Sequence, residues 1–391
     1  MRSSLEVGGR SFSPLRTFIV GGLLASALAT VSRAQDQPLW TGTQPPPTAV
    51  DIPQLPNVEF HVIQQRAPEK DGFHWLHGVA LAWHHNKLFA SFGRNRGAEN
   101  TASETAQIRV STDGGVNWGP VVQLEDAGEP NRAISHGVFL EQDGKLWALH
   151  ASFAGRLEQV CLKGWQLDDA SGRWTFRGVV ARNAFWPVEV PQQLDNGNWI
   201  VGGLIVAPGT PAGVALSHGA DVTRWDVVAI PKPAELNMWG EATLLRVGAD
   251  LLCIARYSVP RALTAVSHDA GRSWSTVRES NLPMAASKPF AGRLSTGHPY
   301  LIGCLASDGG NRRSPLIIAL GAPGEASFRR MVRIRDAVCA GPGESHENAA
   351  LSYPYAVEHD GKLYIGYSND GGRGANLNSA ELAIVPLDSL Q

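Results

Sequence analysis

Six times along this chain an apolar strand runs into a tight turn, and a second strand follows with a leucine or an aromatic residue near its start. The second unit reads Gly137-Val138-Phe139-Leu140, turn Asp143-Gly144, then Lys145-Leu146-Trp147-Ala148-Leu149. The last reads Tyr355-Ala356-Val357, turn Asp360-Gly361, then Lys362-Leu363-Tyr364-Ile365. The others turn at His85-Asn86, at Asn196-Gly197, near Gly248 and at Thr296-Gly297. Successive turns lie roughly 50 to 60 residues apart, the length of chain that one four-stranded propeller blade uses. Helical periodicity is nowhere sustained, so the sequence predicts an all-β fold, a six-bladed β-propeller. A strand near Val58 to Ile63 is expected to close the ring by pairing with the last blade.

Composition agrees with many short strands joined by turns: 42 glycines, 25 prolines and 12 tryptophans punctuate 391 residues. A hydrophobic fraction of 43% is ample for a large core. Only 18% of residues are charged, and 34 basic residues stand against 36 acidic ones with no long single-sign run. That balance argues against a nucleic-acid partner and against a polybasic membrane protein. The four cysteines, Cys161, Cys253, Cys304 and Cys339, are scattered in strand-like contexts and read as buried free thiols. No CxxC or HExxH spacing occurs, so neither a zinc site nor any other cofactor is expected.

The amino terminus is a separate matter. Arg2, Arg10 and Arg16 precede an apolar stretch from Phe18 to Thr30, and Ser32-Arg33-Ala34 offers small residues at a cleavage site. Residues 1–34 therefore read as a signal peptide, cut after Ala34, of a secreted or periplasmic protein. The apolar run is shorter than the roughly 20 residues a membrane-spanning helix needs, and no later stretch could span. Residues 35–56, rich in Gln and Pro, read as an extended leader, leaving 57–391 for the propeller.

A sharper motif lies in two of the units. Ser111-Thr112-Asp113-Gly114-Gly115-Val116-Asn117-Trp118 and Ser267-His268-Asp269-Ala270-Gly271-Arg272-Ser273-Trp274 both spell S-x-D-x-G-x-x-W, with degenerate copies ending at Trp174, where Asp169 holds the Asp position, and at Trp225. The logic is that of a turn: Asp accepts from turn amides, Gly permits positive φ, and Trp packs beneath. With these repeats the sequence resembles the sialidase superfamily, whose propeller blades carry Asp-box (BNR) repeats. The resemblance covers about Val58 to Leu390.

The repeat also locates a candidate site. Seven residues before the turn, each unit reaches the start of its innermost strand, where a propeller's central funnel is lined. The step gives His136, Glu189, Glu241, Pro289 beside Lys288, and Tyr353, with His77 eight residues before His85. This inventory is too ionisable for packing alone. His84 and His85, at the other end of the strands, read as surface residues.

The resemblance implies roles. Sialidases place a glutamate beside a nucleophilic tyrosine and three arginines around a substrate carboxylate, and Glu241 and Tyr353 stand in the matching positions. Arg256 and Arg313 match the second and third arginines; Arg forks suit carboxylates because they bind both oxygens. The glutamate would take the phenolic proton and make Tyr353 nucleophilic well below its ordinary pKa of about 10. Two departures stand out. Where a sialidase carries its first arginine in an Arg-Ile-Pro context, this chain reads Trp75-Leu76-His77-Gly78. The loop expected to hold the acid/base aspartate reads Arg94-Asn95-Arg96-Gly97-Ala98-Glu99-Asn100, so Glu99, or else Glu104, takes that place. His77, His136, Glu189, Lys288 and Arg94 join Arg256 and Arg313 as candidate substrate-binding residues.

Three functions follow as expectations: a glycoside hydrolase acting on sialic acid or another sugar acid in a glycan; a polysaccharide lyase in which Tyr353 or His136 removes a proton beside a uronate carboxylate; and a carbohydrate-binding propeller without catalysis. The sequence does not set the oligomeric state.

Overall fold

In a two-residue hairpin loop, the right-handed twist of the flanking strands calls for positive φ at both central residues. Asp143-Gly144 (50° and 71°), Asp360-Gly361 (51° and 72°) and His85-Asn86 (46° and 59°) supply it. The structure, a computed structural model, describes residues 38–391 except 127 and 130. The expected signal peptide, 1–34, lies outside the described residues.

Six antiparallel sheets follow the six units. Blade one pairs Trp75–His84, Lys87–Asn95, Thr105–Ser111 and Val122–Gln123 in chain order. Blade two pairs Arg132–Gln142, Lys145–Ala154, Glu158–Asp168 and Arg173–Ala181. In blade three the innermost strand is broken into Phe185–Pro187 and Gln192–Gln193, which both pair with Trp199–Ile205; Ala212–His218 and Asp221–Ala229 follow. Blade four runs Met238–Val247, Asp250–Tyr257, Leu263–Ser267, Arg278–Glu279, and blade five runs Phe290–Arg293, Pro299–Gly303, Leu316–Leu320, Arg330–Arg335. Blade six takes Leu351–His359, Lys362–Asn369 and Ser379–Pro386 from the end of the chain and Glu59–Gln64 from its beginning, with Glu59 opposite Ile384. The expected six-bladed propeller and its ring closure are thus what the chain forms.

The two S-x-D-x-G-x-x-W turns share one hydrogen-bond scheme. Ser111 Oγ donates to Asp113 (2.8 Å), which accepts from the Asn117 amide (2.9 Å), while Trp118 Nε1 donates to the Gly115 carbonyl (3.0 Å). Ser267, Asp269, Ser273, Trp274 and Gly271 repeat it bond for bond. At Trp225 only the indole bond survives, to the Val222 carbonyl at 2.8 Å. The copy before Trp174 departs from expectation: Asp168, not Asp169, caps that turn, accepting from the Ala170 amide (3.2 Å) and the Ser171 hydroxyl (2.6 Å). Gly271 shows why the motif needs glycine. Its φ is 84°, and a Cβ there would lie 2.5 Å from Ile200 Cδ1 of the neighbouring blade three.

The segment expected to be a loose leader is instead packed where it is described. Leu39, Trp40, Ile52 and Leu55 are buried, Trp40 bridges Phe328 just before the outer strand of blade five, and Gln54 bridges Arg333 on that strand. Four large apolar side chains in a short stretch outweigh its proline content, since burying each is worth about 1.5–3 kcal/mol. The four cysteines are free, with Cys161, Cys253 and Cys304 buried as expected and Cys339 partly exposed. Among the described residues no helix is long and apolar enough to cross a membrane.

Candidate active site

What turns side chains into the funnel is a bulge at the start of the innermost strands. Pairing is interrupted between His77 and Ala80 in blade one, Ile134 and Gly137 in blade two, Met238 and Ala242 in blade four, and Ser352 and Tyr355 in blade six. A bulge bends its strand and re-aims a side chain out of the alternating pattern. His136, Glu241 and Tyr353 lie within these interruptions, and His77 stands at the edge of its own. Tyr353 has φ 57°, a left-handed conformation that a tyrosine adopts only when its surroundings hold it there.

Three of these groups form a triangle. The Tyr353 hydroxyl donates a short hydrogen bond to Glu241 Oε1, and Arg256 donates to Glu241 Oε2 at 2.8 Å and to the Tyr353 oxygen at 3.4 Å. Glu241 and Arg256 make an ion pair whose carboxylate is buried and whose guanidinium is partly open to the funnel. The Tyr353 phenol is pushed well above its ordinary pKa of 10.0, first by burial and then by the Glu241 charge, against the opposing pull of Arg256 and Arg313. A carboxylate beside a buried phenol opposes a second negative charge. The oxygen therefore rests as a phenol hydrogen-bonded to Glu241.

His77 lies against Tyr353, their ring centres 3.8 Å apart, with His136 5.9 Å from His77 and 6.1 Å from Tyr353. Burial first, and then the positive charges of Arg313, Arg256 and Lys288, hold His77 neutral. Its tautomer is fixed by Asn378, whose Nδ2 donates to the Leu76 carbonyl (2.6 Å) and to His77 Nδ1 (3.2 Å). Nδ1 is therefore an acceptor, and the proton sits on Nε2, which has no partner among the described residues. Burial lowers His136 to about 3, so it too is neutral. Trp186 packs on it with ring centres 4.8 Å apart and donates to its carbonyl at 3.1 Å.

Glu99, on the loop between the second and third strands of blade one, accepts from Asn376 Nδ2 at 2.9 Å. Burial raises its pKa most, Glu241 adds to that, and Asn376, Arg313 and Arg256 oppose it. Glu99 is thus within electrostatic reach of the triangle. Arg313 donates to the Ala286 carbonyl at 3.0 Å, and its charge is felt at His77, Tyr353 and Glu99. Arg313 and Asn376 also line an open cavity of about 350 Å³ with Asn311, Glu347 and Asp370.

The remaining candidates lie elsewhere. Glu189 is turned into the seam between blades three and four, where it accepts from the Gly202 amide (2.6 Å), the Leu244 amide (2.7 Å) and the Thr243 hydroxyl (2.8 Å). Lys288 is buried beneath the ring, donating to the carbonyls of Val188 (3.0 Å) and Pro354 (2.6 Å). Arg94 pairs with Asp71 at 2.7 Å, over the Phe73 ring, away from the triangle. Glu104 is buried between blades one and two, accepting from Ser135 and from the Asn100 amide at 3.2 Å. Three partners escaped the sequence reading: Trp186, Asn376 and Asn378. The Asn-Leu-Asn run in the second loop of blade six was the available signal, because asparagine tolerates the positive φ that Asn376 adopts (53°).

A larger cavity, about 810 Å³, opens at the opposite ends of the innermost strands. It is lined by apolar groups such as Leu81, Phe139, Leu244 and Phe290, and its Arg293 and Glu358 are engaged by backbone groups.

A family model described as a BNR repeat-like domain matches residues 85–365, most of the chain. The chain belongs to that family. The BNR repeats and the six-bladed propeller on which the sialidase resemblance rested are thus both present. The BNR repeat-like propeller superposes on the Hadza microbial sialidase Hz136 with a TM-score of 0.65 at 13% identity, covering 84% of this chain and 69% of the other. For the sialidase of Trypanosoma rangeli in complex with sialic acid the score is 0.62 at 14% identity, over 87% of this chain but only 60% of that one. A Dyadobacter fermentans protein of unknown function matches over 84% of this chain and 99% of its own, with a TM-score of 0.64 at 14% identity. At such identities the likeness is one of fold. No curated protein matches the chain.

Proposed function

We propose that this BNR repeat-like protein is an exported sialidase-like glycoside hydrolase acting on terminal sugar acids or related glycans. The observation that carries the reading is the triangle of Glu241, Tyr353 and Arg256: a phenol hydrogen-bonded to a carboxylate that a guanidinium holds in place. Tyrosine nucleophiles belong to a minority of retaining glycosidases. Tyr353 Oη attacks the anomeric carbon as its proton passes to Glu241, and the bond to the leaving oxygen breaks as Glu99 hands over its own proton. Burial supports that role for Glu99, because a carboxyl with a raised pKa still carries a proton to give. Water then attacks the glycosyl–tyrosine bond, losing its proton to Glu99 while Glu241 returns a proton to the phenolate. Arg256 and Arg313 hold the sugar acid's carboxylate, and the His77 Nε2–H stands as a neutral donor where the family's first arginine is lacking.

The test is product analysis on sialylated and uronate-containing glycans. Hydrolysis adds one water per cleavage, and Tyr353→Phe abolishes it while leaving glycan binding intact. A second reading, a lyase, draws on the neutral His136 imidazole 6.1 Å from the Tyr353 ring, a base without charge beside a phenol. Unsaturated uronate products without added water would replace the hydrolase with the lyase. Glycan binding without turnover in the wild type would leave only a binding protein.

A further inference from the structure

At the end of the strands remote from the triangle, two blades bring three metal-ligating side chains together. His84 and His85 sit at the turn between the first two strands of blade one, and Asp169 sits in the outer hairpin of blade two. Since Asp168 caps that hairpin, the Asp169 carboxylate is free to reach across the seam. One of its oxygens lies 2.9 Å from His84 Nε2 and the other 3.5 Å from His85 Nε2. The two rings are 4.0 Å apart between centres, and all three ligating atoms fall within 4.8 Å of one another. His84, expected at the surface, is buried, whereas His85 and Asp169 are 61% and 41% exposed.

We propose that His84, His85 and Asp169 form a site for a divalent transition-metal ion of the zinc class, which clamps blade one to blade two. Zinc holds nitrogen and oxygen ligands at about 2.0–2.2 Å in a tetrahedron, which puts neighbouring ligands about 3.4 Å apart. The nitrogen-to-oxygen separations of 2.9 and 3.5 Å already straddle that value. An ion therefore takes the place of the imidazole protons with little movement of the side chains, and water completes the fourth position from the exposed side. Two imidazoles with one carboxylate favour zinc, nickel or copper over calcium or magnesium, which prefer all-oxygen shells. The ligands come from two blades, so occupancy adds a cross-link that the unfolded chain lacks.

The experiment is zinc titration of the purified chain by calorimetry, with thermal unfolding followed in parallel. Zinc alone is expected to bind saturably at one ion per chain and to raise the melting temperature. His85→Ala and Asp169→Asn, at exposed positions that leave the core untouched, are each expected to weaken binding by more than about 10-fold, since even the outer partners of metal ligands matter on that scale. Both should melt like wild type without metal and lose the zinc-dependent rise. No saturable binding by wild type, or undiminished binding by both variants, overturns the proposal.

Discussion

Replacing Glu104 by Gln separates the two glutamates that compete for the proton-donor role. Glu104 is 2% exposed, and burial pushes its carboxyl from 4.5 up to about 8, against hydrogen bonds from Ser135 and the Asn100 amide. The folded chain therefore keeps this proton until about pH 8, whereas the unfolded chain gives it up near pH 4.5. Stability falls as pH rises between those values and is level beyond them. The gap corresponds to roughly 5 kcal/mol at about 1.4 kcal/mol per pH unit. With an unfolding entropy of about 2.1 cal/mol/K per residue over roughly 350 residues, that is about 7 °C in melting temperature. Glutamine imitates the protonated acid: its carbonyl accepts from the Asn100 amide, and its NH2 donates to Ser135 Oγ once that hydroxyl turns its own proton toward His136 Nδ1. Thermal unfolding at pH 5, 7 and 9 is the assay, with turnover measured beside it. Wild type and Glu104→Gln should melt alike at pH 5, and at pH 9 the variant should melt several degrees higher, with turnover unchanged. No difference at pH 9 would refute the protonated buried carboxyl; loss of turnover in the variant would move the proton-donor role from Glu99 to Glu104.

Glu99→Gln should abolish turnover of glycosides with poor leaving groups and spare those of acidic phenols, while the wild type keeps its alkaline limb above the ordinary carboxylate range, as a raised pKa requires; pH profiles on the two substrate classes check this. Lys288→Met leaves the buried carbonyls of Val188 and Pro354 without their donor and should cost about 2–4 kcal/mol in denaturant unfolding, with kcat falling more than KM because Pro354 adjoins Tyr353. Gly271→Ala forces a Cβ to within 2.5 Å of Ile200 at a φ of 84° and should cost about 1–3 kcal/mol, read from the urea midpoint.

The propeller was legible because its turns are written in short range: Asp-Gly pairs and S-x-D-x-G-x-x-W boxes state their own backbone angles. The seven-residue step from turn to funnel worked where it landed on a bulge, at His136, Glu241 and Tyr353, and eight residues served for His77. It misled where the innermost strand is irregular. Glu189 falls in the break between Phe185–Pro187 and Gln192–Gln193, and Lys288 precedes a strand that starts only at Phe290. Neither is aimed by a bulge, and each turns inward to meet buried backbone groups. Arg94 was misplaced because its partner Asp71 belongs to a single helical turn, Pro68–Asp71, too short to leave a periodic signature. Asn376 and Asn378 depend on contacts with blade one that span almost the whole chain, and no local pattern records those.

The outermost strand of blade six, Glu59–Gln64, is made early and finds its partner, Ser379–Pro386, only when nearly all of the chain has followed. Five blades can collapse on local hairpins while this strand waits, but the circle cannot shut until Ser379–Pro386 is in place. Tyr353 lies on the innermost strand of that same blade. Losing either Glu59–Gln64 or Ser379–Pro386 would therefore spare most of the hairpins and still leave the blade that carries Tyr353 unpaired on its outer side.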